Sequence, residues 1–142
     1  MDAKLFVGIL LAGAAAACLS PTGMCACPPA LGLADVSGAV TRAGRPVGGA
    51  LVQVDLRVRG CADTTRNALV DRPEATADTL GRYAYQARSA VPSDTACIRV
   101  TAVDTSGGRR DSAVATAARV RLTSSYGTRE QPPAVRLDVA LP

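Results

Sequence analysis

The chain has 142 residues, of which 48% are apolar, 20% charged and 3% aromatic, enough for one domain. It carries no histidine and no tryptophan. A Ser-His-Asp or Cys-His nucleophile pair, a zinc site built on imidazole and the usual neutral-pH proton shuttle are therefore excluded. The formal net charge is +4, with Lys4 the only lysine and the arginines spread along the chain. Arg109-Arg110 is a basic pair, but no basic stripe or recognition motif accompanies it. Nucleic acid is not an expected partner.

The first four residues are followed by an uncharged run, LFVGILLAGAAAA, over residues 5–17. This matches the apolar region of a signal peptide and is shorter than the roughly 20 residues a membrane span needs. Residues 1–17 therefore read as an export signal. Ala15-Ala16-Ala17-Cys18 resembles the lipobox of bacterial lipoproteins. That resemblance implies cleavage before Cys18 and a lipid on its sulfur, with a membrane surface as partner. Ala15 stands where Leu is commoner, so ordinary cleavage after an A-x-A site stays open. Five cysteines are an odd number for an exported chain. Acylation of Cys18 leaves Cys25, Cys27, Cys61 and Cys97, an even set in an oxidising compartment. Residues 18–34, with Pro21, Gly23, Pro28, Pro29 and Gly32, read as a flexible tether.

From about Asp35 the chain alternates apolar and polar residues in short runs, each of which puts one face of a strand on a core. Val36 to Thr41 is the first. In Leu51 to Arg59, Val52, Val54, Leu56 and Val58 share the inner face, while Gln53, Asp55, Arg57 and Arg59 point outward. Ala75 to Thr79 is short. Tyr83 and Tyr85, expected in the core, alternate with Arg82, Ala84 and Gln86. Ile98, Val100 and Ala102 alternate with Arg99, Thr101 and Val103, and Val120 and Leu122 with Arg119 and Arg121. Ala113 to Ala118 reads as part of this β region or as one helical turn, since alanine dominates it. Val135, Leu137, Val139 and Leu141 share a face in the last run. Turn residues separate the runs at 44–49, 79–81, 92–94 and 106–108. The expected fold is all-β, an antiparallel sandwich of about seven strands over residues 35–142.

Three segments in order carry a family likeness: Val36 to Thr41, Gly44 to Val52 (GRPVGGALV), and Thr76 to Tyr83 (TADTLGRY). They resemble the carboxypeptidase regulatory-like domain, whose pattern runs G-x-V, G-x-P-V-x-G-A-x-V, then T-x-T-D-x-x-G-x-Y. The segment before Asp78 reads Ala75-Thr76-Ala77 where the pattern has T-x-T, so the threonines are replaced. The resemblance covers roughly residues 35–104 and implies a transthyretin-like, prealbumin-type sandwich. It also implies a non-catalytic module. The peptidase and hydroxyisourate hydrolase relatives need histidines that this chain lacks. The Lys–Asn crosslink of pilin-like relatives would need a lysine in the domain, and Lys4 lies in the export signal. Asp78 is expected to shape a turn rather than bind calcium, for no D-x-D-x-D cluster accompanies it.

The expected function is a non-catalytic cell-envelope lipoprotein module offering a scaffold or binding surface. Its protein or glycan partner is not specified by the sequence. The alternative is a secreted domain binding carbohydrate or peptide, for which Tyr126 would be the exposed aromatic. No catalytic residue, metal ligand or cofactor is expected. Glu74 and Glu130 sit in no acid–base motif. Cys61 and Cys97 are expected to form a disulfide, because each adjoins a strand and falls by parity on its outer face. The competing pairing joins Cys25 or Cys27 to the body. The expected bond closes a loop of 35 intervening residues, so the Cα atoms must lie within about 7 Å.

Overall fold

The computed structural model describes residues 31–90, 95–124 and 131–142. These form an all-β sandwich of two packed sheets. The first sheet is built around β1 (Gly32–Arg42). On one flank lie β2 (Arg45–Pro46) and β6 (Arg82–Ser89), both antiparallel to it. On the other flank lie β9 (Thr123–Ser124), antiparallel, and β10 (Ala134–Arg136) and β11 (Val139–Leu141), both parallel. The second sheet places β3 (Leu51–Arg57) beside β7 (Thr95–Asp104), which pairs in turn with β8 (Asp111–Arg121). The short strands β4 (Leu69–Asp71) and β5 (Glu74–Thr76) share the far edge of β3. Eleven strands thus fill seven lanes, three in one sheet and four in the other.

The alternation seen in the sequence becomes the core. Val36 and Val40 of β1 and Tyr83 of β6 pack toward Val52, Val54 and Leu56 of β3 and Ile98 and Val100 of β7. Val139 and Leu141 of β11 join the same cluster. Burying each such aliphatic side chain is worth about 1.5–3 kcal/mol, so the core holds without Trp or Phe. Tyr83 is buried as expected, while Tyr85 is half-buried against the core. The β1–β2 hairpin turns through Ala43 and Gly44, with φ of 48° and 77°. Two consecutive positive values are what a two-residue turn matched to strand twist requires.

Several expectations are corrected. The tether ends sooner than residue 34, because Gly32, Leu33 and Ala34 already pair with Ser89, Arg88 and Ala87. The strand from Leu51 stops at Arg57 rather than Arg59. The sandwich is antiparallel as expected, and only the short β10 and β11 run parallel to their neighbour β1. Ala113 to Ala118 is strand throughout, part of β8 and paired along β7. A bulge interrupts β8. Ala117 pairs with Ile98 and Val120 with Ala96, so Ala118 and Arg119 share the space opposite Cys97. Arg119 has a φ of 58° there. The bulge shifts the inward face from Ala113, Ala115 and Ala117 to Val120, an odd-to-even switch.

The run from Val135 to Leu141 is two strands, not one. At the break the Leu137 N–H donates to Ser37 O at 2.8 Å, and the Asp138 side chain takes over the next rung. Ala39 N–H donates to Asp138 Oδ1 at 2.9 Å. The Leu137 carbonyl turns inward against Gly38, where a methyl group would overlap it. The Tyr83 hydroxyl donates to that carbonyl.

Candidate functional site

The outer face of the first sheet carries an open trough of about 370 Å³. Pairing sets its layout. Ala84, Ser37 and Arg136 lie in one row across β6, β1 and β10. Arg82 and Ala39 lie in the next row, with Asp138 bonded to Ala39 on the far side. The floor is therefore made of the small residues Ser37, Gly38, Ala39 and Ala84, and the long side chains Arg82 and Arg136 stand on opposite flanks.

Each arginine is oriented by one aspartate. Arg82 Nε donates to Asp78 Oδ2 at 3.0 Å. Arg136 Nε donates to Asp138 Oδ1 and Oδ2 at 3.3 and 3.2 Å. The aspartates are themselves fixed. Asp78 Oδ1 accepts from the Leu80 and Arg82 N–H groups at 2.9 and 2.8 Å, in the turn between β5 and β6. That turn closes through Gly81, whose φ is 70°. Asp78 thus has the turn-forming role expected of it. The Arg82 backbone N–H is the main reason its carboxyl lies below the usual range, with the Arg82 side chain and Leu80 N–H adding to it. For Asp138 the Arg136 side chain is the main cause and the Ala39 N–H the next. Both carboxylates stay ionised, with their oxygens engaged in accepting these bonds. The terminal Nη groups of Arg82 and Arg136 and the Ser37 hydroxyl have no protein partner among the described residues. The trough therefore offers donors.

The outer face of the second sheet is built differently. Cys61 and Cys97 form the expected disulfide, with Cα atoms 5.2 Å apart. It ties the connection after β3 down onto β7. Beneath that connection Asp55 and Arg57, read from sequence as outward and solvated, are only 6% and 5% exposed. Arg57 Nη1 donates to the Asp63 carbonyl at 2.7 Å and Nη2 to Asp55 at 3.3 Å. Arg72 grips the same carboxylate through Nε at 2.8 Å and Nη2 at 3.3 Å. Arg99 lies directly opposite Asp55 in the β3–β7 register. A carboxylate shared in this way meets the pairing that a buried charge requires.

Cys18, Cys25, Cys27, Tyr126 and Glu130 lie outside the described residues. Glu74 is exposed on β5 and accepts from Gln53 Nε2 at 3.3 Å. Among the described residues no group of three or more Cys, Asp or Glu is placed to hold a metal ion. No helix among them is long and apolar enough to cross a membrane. Sequence reasoning did not single out Arg82, Arg136 or Ser37 as a site. Alternation put them on outer faces, but only the pairing of β6 and β10 with β1 makes them neighbours.

No protein-family model matches the chain. No curated protein matches it either. Among solved structures it is similar to an alternative pilotin from the type II secretion system of Vibrio cholerae. The identity is 13%, the match covers 78% of this chain and 97% of that one, and the TM-score is 0.43.

Proposed function

We propose that the chain is a non-catalytic cell-envelope lipoprotein module, held at a membrane surface by a lipid on Cys18 and presenting its sandwich as a binding surface. The observation that carries this reading is the Cys61–Cys97 disulfide. Such bonds persist in oxidising compartments outside the cytoplasm. The apolar run over residues 5–17 supplies a route there. With Cys61 and Cys97 paired, a lipid on Cys18 leaves Cys25 and Cys27 as an even remainder. The turn positions of the carboxypeptidase regulatory-like pattern support membership of that group. Gly44, Gly49 and Gly81 all fall at positive φ, between 70° and 77°, where a side chain is costly.

The trough favours a binding role over a purely mechanical one. It offers donors over a small-residue floor and no stacked aromatic face, so it suits a polar group better than a sugar ring. The alternative, a freely secreted ligand-binding domain, differs in its N-terminus. Labelling with radioactive palmitate decides between them. The wild-type protein is expected to take the label and the Cys18→Ala variant to lose it. An unlabelled wild-type protein, or an N-terminus downstream of Cys18 read by Edman sequencing, would replace the anchored module with the secreted one.

A further inference from the structure

We propose that the trough between Arg82 and Arg136 is a carboxylate-binding site. This rests on reading the sandwich as a binding module and names the chemistry of its ligand. Neighbouring strands lie about 4.8 Å apart and successive same-face residues about 6.6 Å apart. Arg82 and Arg136 stand two strands and two residues apart in the pairing. Their Cα atoms are therefore roughly 12 Å apart, so the two arginines flank a floor wide enough for one small anion. The floor between them is Ser37, Gly38, Ala39 and Ala84, with Tyr83 beside Gly38 and its hydroxyl engaged by the Leu137 carbonyl.

The hydrogen bonding selects the ligand's charge and shape. Asp78 and Asp138 use their oxygens on backbone N–H groups and on the arginine Nε atoms. They act as positioning residues. What faces the floor without a protein partner is the terminal nitrogens of two guanidinium groups, which only donate, and the Ser37 hydroxyl, which can donate or accept. A planar carboxylate accepts from such forks with both oxygens. The ionised aspartates balance the arginines, so the local net charge is near zero. A group carrying one negative charge fits this field better than a phosphate dianion, which would meet two carboxylates at the rim. The trough is open, so the carboxylate belongs to a larger molecule lying along the sheet, such as the end of a peptide.

The test is calorimetric titration of the full chain with N-acetyl-alanyl-alanine, with the same compound as its C-terminal amide, and with inorganic phosphate. The free acid is expected to bind saturably, at least tenfold more tightly than the amide or phosphate. Arg82→Gln and Arg136→Gln are each expected to weaken the acid about tenfold, and Arg136→Lys to restore little of it, because lysine lacks the fork. Circular dichroism melts check that these variants stay folded. Equal binding of acid and amide, no saturable binding, tighter binding of phosphate, or indifference to both arginine substitutions in folded variants would each overturn the assignment. The palmitate experiment reads separately. A labelled protein that binds no carboxylate keeps the anchored module and loses this site, while an unlabelled protein that binds one does the reverse.

Discussion

Tyr83 brings a hydroxyl into a core otherwise made of aliphatic side chains, and that hydroxyl satisfies the inward-turned carbonyl of Leu137. Burial, with the nearby Asp138 charge, pushes its phenol from the ordinary 10 up to about 12. The folded protein thus keeps a proton that the unfolded chain releases at lower pH. The contribution is complete below pH 10 and is lost as pH rises toward 12. Thermal melts across this window are expected to fall in the wild type and to flatten in Tyr83→Phe. At neutral pH that variant is expected to be less stable by about 1–3 kcal/mol, because the Leu137 carbonyl loses its donor. The acid side has the opposite sign. Asp78 and Asp138 have folded values below the ordinary 3.8, so their contribution is present above it and lost as pH falls through the folded values. A second pair of substitutions tests the strand register. Val54→Asp places a carboxylate between the sheets and is expected to unfold the domain. Gln53→Asp faces outward, but it sits directly opposite Glu74. Like charges across a strand pair cost about 0.2–1 kcal/mol, so a small drop in Tm is expected rather than none.

The bulge in β8 is the element-scale feature with the plainest consequence. Arg119 holds a left-handed backbone conformation at a φ of 58°, which costs a non-glycine residue about 1–3 kcal/mol. Arg119→Gly is expected to raise stability by about 0.5–1 kcal/mol, after the entropy glycine adds to the unfolded chain. Urea denaturation measures this, and a lower midpoint would place Arg119 elsewhere in φ. The same bulge explains what the sequence conceals. Along β3 the contrast of Val52, Val54 and Leu56 with Gln53, Asp55 and Arg57 makes strand and inward face readable. Along β8 the run from Ala113 to Ala118 has almost no polarity contrast, and the face then switches by one residue at Arg119. Alternation cannot report a strand whose period breaks. The trough was hidden for a related reason. Periodicity places Arg82, Ser37 and Arg136 outward, each on its own strand, but lateral pairing between residues as far apart as 37 and 136 carries no local signal. Asp55 and Arg57 were misjudged because their burial comes from a connection folding over the sheet.

For the molecule as a whole, the Cys61–Cys97 bond constrains the unfolded chain as well as the folded one. Its loop of 35 intervening residues corresponds to about 3–4 kcal/mol in the chain-entropy estimate. The double variant Cys61→Ala/Cys97→Ala is expected to lose that much in urea denaturation. It is also expected to be cut faster by trypsin after Arg57 and Arg59, because the connection over the Asp55–Arg57–Arg72 cluster is released. Full-strength stability without the bond would mean that the cluster alone pins that connection. The place of β1 has a consequence of another kind. It is the first strand of the described chain and the centre of its sheet, yet one flank is filled by β10 and β11, about a hundred residues later. A ribosome making about 5–20 residues per second leaves that flank open for many seconds. Throughout that interval β1 has no C-terminal partner, and the Leu137 carbonyl has not yet reached Gly38. The order of synthesis therefore keeps the sandwich incomplete until residues 134–141 emerge.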